Sequence, residues 1–322
     1  MVLGSNPSAL CLMPSALKSM DERQRRELTE IMGESIQLDR AMSEHTTFCI
    51  GGKADAVCFV QGRGELRKLF SYISKENIPY LVVGAGSNLL VRDGGLKGVV
   101  IIMREHLARI AQHGENEQIL VAGGGLSLSN LVRYCSQKGL GGLEFLAGIP
   151  GTVGGAVIMN AGAFGKDMGT VVQSIEILSP RGELVSKDRS DLVFSYRAST
   201  IQEGSLVLSS SLQCIRETPQ IVSKRVAEYL ARRKVTQPLE YPSAGSVFRN
   251  PPGDYAGRLI EKTGLKGKKV GGAMISRKHA NYIVNTGGAR AEDVLALMEM
   301  AKEKVREKTG IELEPEIKVV GE

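Results

Sequence analysis

The stretch "VVGAGSNLLV", residues 82–91, decides how the front half of the chain is read. It follows an apolar run and carries Gly84 and Gly86 in a G-x-G pattern. A Rossmann dinucleotide-binding unit needs a third glycine three residues after the second, opening a helix. Leu89 stands at that position. The chain then reads Leu90, Val91, Arg92, Asp93, Gly94, Gly95, a short apolar run and a turn with no room for a helix of useful length. The glycines nevertheless permit close backbone approach and exposed amide N–H groups, so an anion can sit on the turn.

Working outward, glycine punctuates the chain: 38 in all, dense over residues 84–98, 123–125, 139–155 and 162–169. Between the clusters lie β-rich runs at 56–60, 80–83, 99–103, 119–122, 171–178 and 206–214. A helix is predicted over 65–77, where Leu66, Leu69, Phe70 and Ile73 recur on a 3.6-residue period. A second is predicted over 128–138, stopped by Gly139. This is an α+β arrangement rather than alternating βαβ. Residues 219–234 read as an amphipathic helix with Ile221, Val222, Val226, Tyr229 and Leu230 inward, followed by two prolines that mark a junction. Beyond it the pattern predicts a strand at 245–249, a helix at 255–263, a strand at 281–285, a helix at 291–308 and a strand at 316–320. The expected organisation is a disordered extension over 1–19, an α+β domain of two subdomains over 20–218, and an α+β unit over 219–322.

Composition narrows the function classes. The 322 residues are 42% hydrophobic and 24% charged, as in ordinary soluble proteins. No apolar run approaches the ~20 residues of a membrane span. The first 19 residues lack a basic region and hold two prolines, which argues against a secretory signal. The net charge of +6 suits an anionic small molecule as readily as nucleic acid. With no Trp, 7 Phe and no basic run longer than "RRK" (Arg232 to Lys234), a nucleic-acid surface has little support. Five scattered cysteines without C-x-x-C read as free thiols in a reducing cytoplasm. The four histidines form no metal-binding spacing.

Four segments carry candidate chemistry. "GLEFLAGIPGTVGGAVIMNAGAFG", residues 142–165, sets seven glycines among apolar residues with Glu144 its one acidic group. It is too apolar for a surface loop, and interior glycines, at about 1 kcal/mol each, oppose a helix. Such a run can lay backbone against a large planar ligand, or cross the core. "YPSAGSVFRNP", residues 241–251, places Ser246 after Gly245. Phe248 breaks the G-x-S-x-G pattern of a hydrolase elbow and no suitable His follows, so a strand-start cap or a proton donor remains. "FSYRAS", residues 194–199, joins Tyr196 to Arg197, whose planar fork suits a carboxylate or phosphate or a surface ion pair. "LEPEIKVVG", residues 313–321, puts Glu316 at the head of the last strand, functional or simply exposed.

Taken in order, the G-x-G-S-N turn, "AGIPGTVGGAVIMNAGA", "YRAS", "AGSVFRNP", "SRKHANYIVN" and "LEPEIKVVG" closely resemble the UDP-N-acetylenolpyruvoylglucosamine reductases. The likeness begins at "HTTFCIGGKAD", residues 45–55, and leaves out the residues before it, the N-terminal extension among them. It implies a two-part FAD-binding domain of the vanillyl-alcohol-oxidase type and a C-terminal substrate-binding domain. By the same resemblance Val83, Gly84, Ala85, Gly86, Ser87, Asn88 and Leu89 wrap the FAD pyrophosphate. Gly148, Ile149, Pro150, Gly151, Thr152, Gly154, Gly155 and Ala156 lie along the flavin and ribityl chain. Relatives that attach flavin covalently use a histidine at the turn; Ser87 and Asn88 here imply non-covalent FAD.

The resemblance further implies NADPH as hydride donor and UDP-N-acetylglucosamine enolpyruvate as substrate, reduced to UDP-N-acetylmuramate for peptidoglycan precursor synthesis. Arg197 matches the arginine that grips the substrate carboxylate, Ser246 the serine that protonates C2, and Glu316 the catalytic glutamate. Lys234 and Asn250 match positions serving the diphosphate and sugar, and Tyr196 shapes the pocket. A cytoplasmic enzyme without nucleic-acid, membrane or obligate protein partner is implied. Ser246 lies only 49 positions after Arg197 (246 − 197), too close for the tyrosine-loop insert of one family branch, so the chain reads as the shorter branch. Cys49 replaces a more familiar polar or basic residue. A flavin oxidase of the same fold is the competing enzyme, disfavoured by "YRAS" and "AGSVFRNP". An inactive flavin- or nucleotide-binding module is disfavoured by the intact Arg197, Ser246 and Glu316.

Overall fold

The computed structural model describes residues 18–112 and 118–322. Residues 1–17, most of the expected extension, lie outside the described residues. By Met20 the chain is part of the fold: its side chain is buried and its N–H donates to Asp55 Oδ2 at 3.0 Å.

The first layer is a four-stranded sheet in the order Ile36–Ala41, Lys53–Val60, Leu96–Met103, Tyr80–Val82. Its first pair is antiparallel and the others are parallel. Two helices cover one face, α1 (Glu22–Met32) and α2 (Arg63–Lys75). Leu66, Leu69, Phe70 and Ile73 of α2 meet Val99 and Ile101 of the sheet in one apolar cluster, as their period predicts. Helix α1 escaped the pattern reading because only Leu28 and Met32 of its eleven residues are buried. Its start is written instead in a capping box, with Asp21 accepting from Gln24 N–H and Gln24 reaching back.

The second layer is a five-stranded antiparallel sheet, Leu184–Asp188, Val172–Leu178, Leu206–Gln213, Ile119–Gly123, Ile110–Gln112. Helix α3 (Leu128–Lys138) packs on it, capped by Ser127 and ended by Gly139 in the left-handed conformation (φ 66°). The glycine-rich run contradicts its expectation in part: Val153–Ile158 is a short helix, α4, capped by Thr152. Packing overrides propensity here. Gly154 gives its N–H to Gly124 O at 2.8 Å, and a Cβ at 154 would stand 3.1 Å from that oxygen, so the close crossing selects glycine. Helix α5 (Pro219–Thr236), expected to open the C-terminal unit, lies against α3, with Val226 and Tyr229 on the second layer's core. Ile221 and Leu230, expected inward on α5, are 45% exposed.

The C-terminal unit holds helices α6 (Ala256–Lys262) and α7 (Ala291–Thr309). They accompany a small antiparallel sheet, Lys269–Val270, Ala273–Ile275, Ile283–Asn285. The strand expected at 245–249 is absent; Phe248 makes only an isolated bridge to Pro315. The core of this unit takes in Phe48, Ile50 and Leu90 from the front of the chain. The last strand, Lys318–Val320, leaves its own unit and pairs in parallel with Leu89–Val91, directly behind the G-x-G turn. Asp93 ties the same places together, its carboxylate accepting from Ala291 N–H (3.0 Å) and Glu292 N–H (3.2 Å) at the start of α7. Asp93→Ala is expected to lose about 1 kcal/mol of stability by leaving these helix-end donors without their acceptor. An unchanged urea midpoint would show that the tie contributes nothing.

Candidate active site

The G-x-G turn is held from both ends. Val83 N–H donates to Ile101 O at 2.9 Å, and Leu89 enters the parallel pair with Lys318. Between them, among the described residues, the N–H groups of Gly84, Ala85, Gly86 and Ser87 have no acceptor. Gly86 takes φ 60°, and a Cβ on it would stand 2.2 Å from His45 O. A run of free backbone donors in a left-handed turn is an anion nest. Asn88 closes the turn: its side-chain amide donates to Glu316 O at 3.1 Å and its own carbonyl accepts from Lys318 N–H at 2.9 Å.

The second predicted run meets the first. A Cβ on Gly84 would lie 2.4 Å from Thr152 Oγ1, and one on Gly151 3.6 Å from Ser87 Oγ. Gly148, Pro150 and Gly155 are exposed, with Ile149, Gly151 and Thr152 half-buried. Gly154 and Ala156 are buried in the packing face of α4 and offer nothing outward. The FAD implied by the resemblance fits this surface: free N–H groups for phosphate oxygens beside a neutral, side-chain-poor strip.

Arg197 sits in the two-residue turn of a tiny hairpin, Phe194–Ser195 with Ala198–Ser199. Its φ of 57° is unusual for a residue with a Cβ. The turn sends its guanidinium to Glu316, Nε to Oε1 at 2.6 Å, and over the Tyr196 ring at 5.2 Å. Tyr196 itself is 51% exposed. Burial pushes the Glu316 carboxyl above the usual carboxylate range, opposed by the charges of Arg197 and Arg249. Arg249 also donates to Arg197 O at 3.4 Å.

Ser246 is half-buried, and burial pushes the phenol of Tyr282, only 9% exposed, above its ordinary range, opposed by the charge of Arg233. The segment after Ser246 is clamped on both sides. Val247 N–H donates to Asn281 O and Phe248 N–H to Asn281 Oδ1, both at 2.9 Å, while Glu316 N–H donates to Val247 O at 2.7 Å. Arg197, Ser246 and Glu316, far apart in sequence, thus stand around one site. Asn250 is drawn elsewhere, its Oδ1 accepting from Ala256 N–H at the start of α6 (3.1 Å). Lys234 is exposed on α5, its carbonyl accepting from Lys278 Nζ at 2.6 Å.

The sequence reading missed Arg233 and Tyr282. Arg233 is 8% exposed, its Nε has no partner, and its guanidinium lies 5.6 Å from the Phe164 ring, which stacks on Tyr229. A Cβ on Gly148 would meet Arg233 Cδ at 2.7 Å, so this arginine joins the glycine strip to the acid–base cluster. Burial pulls it below the ordinary arginine range, with Arg197 adding to the effect. The available signal was its spacing: Arg233 follows Val222, Val226 and Tyr229 on the inward stripe of α5, in a basic run that reads as a solvated face. Cys49 is exposed with φ 54°, and its carbonyl accepts from Asn285.

Comparison with known proteins agrees with this architecture. Residues 54–187 match the model of an FAD binding domain, and residues 237–320 that of the UDP-N-acetylenolpyruvoylglucosamine reductase C-terminal domain. The chain is 43% identical to the UDP-N-acetylenolpyruvoylglucosamine reductase of Caldanaerobacter subterraneus over 92% of this chain and 97% of that one. It is 42% identical to the Moorella thermoacetica protein of the same name over 92% and 99%. The crystal structure of the Thermus caldophilus reductase superposes with a TM-score of 0.76 at 38% identity, covering 89% of this chain and 98% of that one. An FAD binding domain followed by this C-terminal domain, with relatives matched over nearly their whole length, makes the chain a member of the UDP-N-acetylenolpyruvoylglucosamine reductase family.

Proposed function

We propose that the protein reduces UDP-N-acetylglucosamine enolpyruvate to UDP-N-acetylmuramate with NADPH, as a cytoplasmic enzyme of peptidoglycan precursor synthesis. The observation that carries the reading is the convergence of Arg197, Glu316 and Ser246 beside the paired glycine runs. The FAD-binding domain would take residues 20–218 and the substrate-binding unit residues 219–322, with α5 at the junction packed against α3. No helix among the described residues is long and apolar enough to cross a membrane.

Non-covalent FAD, when bound, supplies hydride transfer from NADPH to the substrate. The free N–H groups of residues 84–87 would hold its pyrophosphate, and the exposed backbone of 148–155 would border its ring and ribityl chain. The protein's own task is to manage the charge that hydride addition to C3 creates. That addition leaves an enolate spread over C2 and the carboxylate. The Arg197 guanidinium grips the carboxylate, since its planar fork offers two parallel donors. Glu316, already paired with Arg197, fixes that fork beside the approaching anion. Preorganised groups of this kind contribute several kcal/mol in a site shielded from water. Ser246 delivers the proton to C2. A serine hydroxyl is a poor acid and needs a strongly basic acceptor, which the enolate provides. Exposed Lys234, with Tyr196 at the rim, would receive the diphosphate and sugar. Asn250, whose oxygen caps α6, keeps its amide N–H₂ for the same ligand.

An anaerobic stopped-flow assay tests the reading: flavin bleached by NADPH should be re-oxidised by the enolpyruvyl substrate without oxygen. Absence of that re-oxidation would remove the reductase assignment in favour of a flavin oxidase. Ser246→Ala should leave reduction by NADPH nearly unchanged and slow re-oxidation by about 10² or more; equal slowing of both halves excludes the proton-donor role. Gly84→Ala should force Thr152 out of its cap and weaken FAD binding about tenfold or more, read from flavin retained on dilution.

A further inference from the structure

We propose that Asn160 is the positioning residue for Arg197. Its side-chain amide holds the arginine hairpin on the tail of the glycine-rich run, and so sets where the substrate carboxylate is gripped relative to the flavin. This role rests on the reading above, in which Arg197 takes that carboxylate.

The amide is fully placed by its partners. Asn160 is 2% exposed and stands just past α4 with a φ of 42°. Asparagine adopts this left-handed conformation more readily than most residues with a Cβ. Its Nδ2 donates to Ser195 O at 2.9 Å and to Asp167 Oδ2 at 3.1 Å, while its Oδ1 accepts from Gly169 N–H at 2.8 Å. A backbone N–H only donates and a carboxylate only accepts, so a single orientation of the amide satisfies all three.

Ser195 precedes the turn that carries Arg197 and pairs across it with Ala198. The same stretch of chain holds the hairpin twice more: Ser199 Oγ donates to Ile158 O at 2.8 Å, and Arg197 Nη1 to Gly162 O at 3.4 Å. At the base of the hairpin, a Cβ on Gly169 would stand 2.7 Å from Phe194 Cβ, so the two backbones touch. Of these contacts the Asn160 amide is the one that bonds both the hairpin backbone and the loop at 167–169.

The joint bears on the chemistry through Arg197. A left-handed φ of 57° on an arginine persists where its neighbours over-determine it. Glu316 engages Nε, and Nη2 has no acceptor among the described residues, which leaves that end of the fork open to a carboxylate. Glu316 thus fixes the guanidinium, and Asn160 fixes the backbone from which it springs. Residues 158–162 continue directly from the strip at 148–155 that would border the flavin, so the arginine is referenced to the hydride donor. Displacing a positioned group by ~1 Å can cost about 10²-fold in rate.

The test follows re-oxidation of anaerobically reduced, FAD-loaded enzyme over a range of enolpyruvyl substrate concentrations. Asn160→Gly keeps the left-handed backbone and removes the amide. It should raise the half-saturating concentration about tenfold or more. A role confined to folding would lower the melting temperature and leave half-saturation of the FAD-loaded fraction unmoved, which overturns the proposal. In an Arg197→Lys background Asn160→Gly should add less than about twofold. A rise there as large as in the parent would show that Asn160 acts elsewhere, and overturns it too. If Asn160→Gly retains no FAD, the exchange Asn160→Asp with Asp167→Asn takes its place. The exchange keeps the bond between side chains 160 and 167 and the one from Gly169 N–H, but leaves Ser195 O facing a carboxylate. The same rise is expected, and half-saturation equal to the parent overturns the joint alone. A parent that never re-oxidises overturns the functional reading and Asn160's role with it.

Discussion

The parallel pairing of Lys318–Val320 with Leu89–Val91 is the constraint from which the site follows. It fixes the G-x-G turn from behind, in the place where a Rossmann unit would set a helix. Through the Asn88 amide it also delivers the backbone of Glu316 to the lip of that turn. Glu316 in turn orients Arg197 and, by its N–H, holds Val247 next to Ser246. One short ladder therefore joins the anion nest, the guanidinium and the serine. A helix dipole is not required for the anion, because successive free N–H groups supply the same partial charge at closer range.

The site is cationic in excess: the charges of Arg197 and Arg249 act on Glu316, and Arg197 acts in turn on the buried Arg233. Pairing Arg197 with Glu316 limits their mutual repulsion, while the unpartnered Nε of Arg233 keeps a buried donor in reserve. Leaving a charged donor without an acceptor is costly in a folded core. Such costs persist where a ligand supplies the missing partner. Phe164 and Tyr229, stacked at 4.2 Å, provide an aromatic face that offsets part of the cost for Arg233.

Where periodicity and burial coincided, the sequence was legible. The inward stripe of α2 and the Gly139 stop of α3 stand where their patterns put them. The motif order pointed to Arg197, Ser246 and Glu316, although no single fragment told more than a cap or an ion pair. What could not be read arose from tertiary contact. Helix α4 exists because Gly124 and Gly154 cross closely, a fact that propensity cannot encode. The segment around Ser246 has the composition of a strand but is clamped by Asn281 and by residues 314–316 rather than by a sheet neighbour. Asn250 carries a polar side chain suited to a ligand, yet half of its bonding goes to α6. Arg233 hid in a basic run whose solvated appearance came from Arg232 and Lys234.

The reach of Asn88 to residue 316 spans 228 positions of chain. Synthesis is vectorial, at about 5–20 residues per second, and contacts so remote in sequence form late. A nascent chain that has emerged through the first two sheets holds the G-x-G turn with no strand behind it. The cradle thus stays immature until residues 318–320 have left the ribosome. A chain stalled before residue 320 would hold a flavin poorly, so occupancy by the cofactor doubles as a mark that the strand behind the turn has been made.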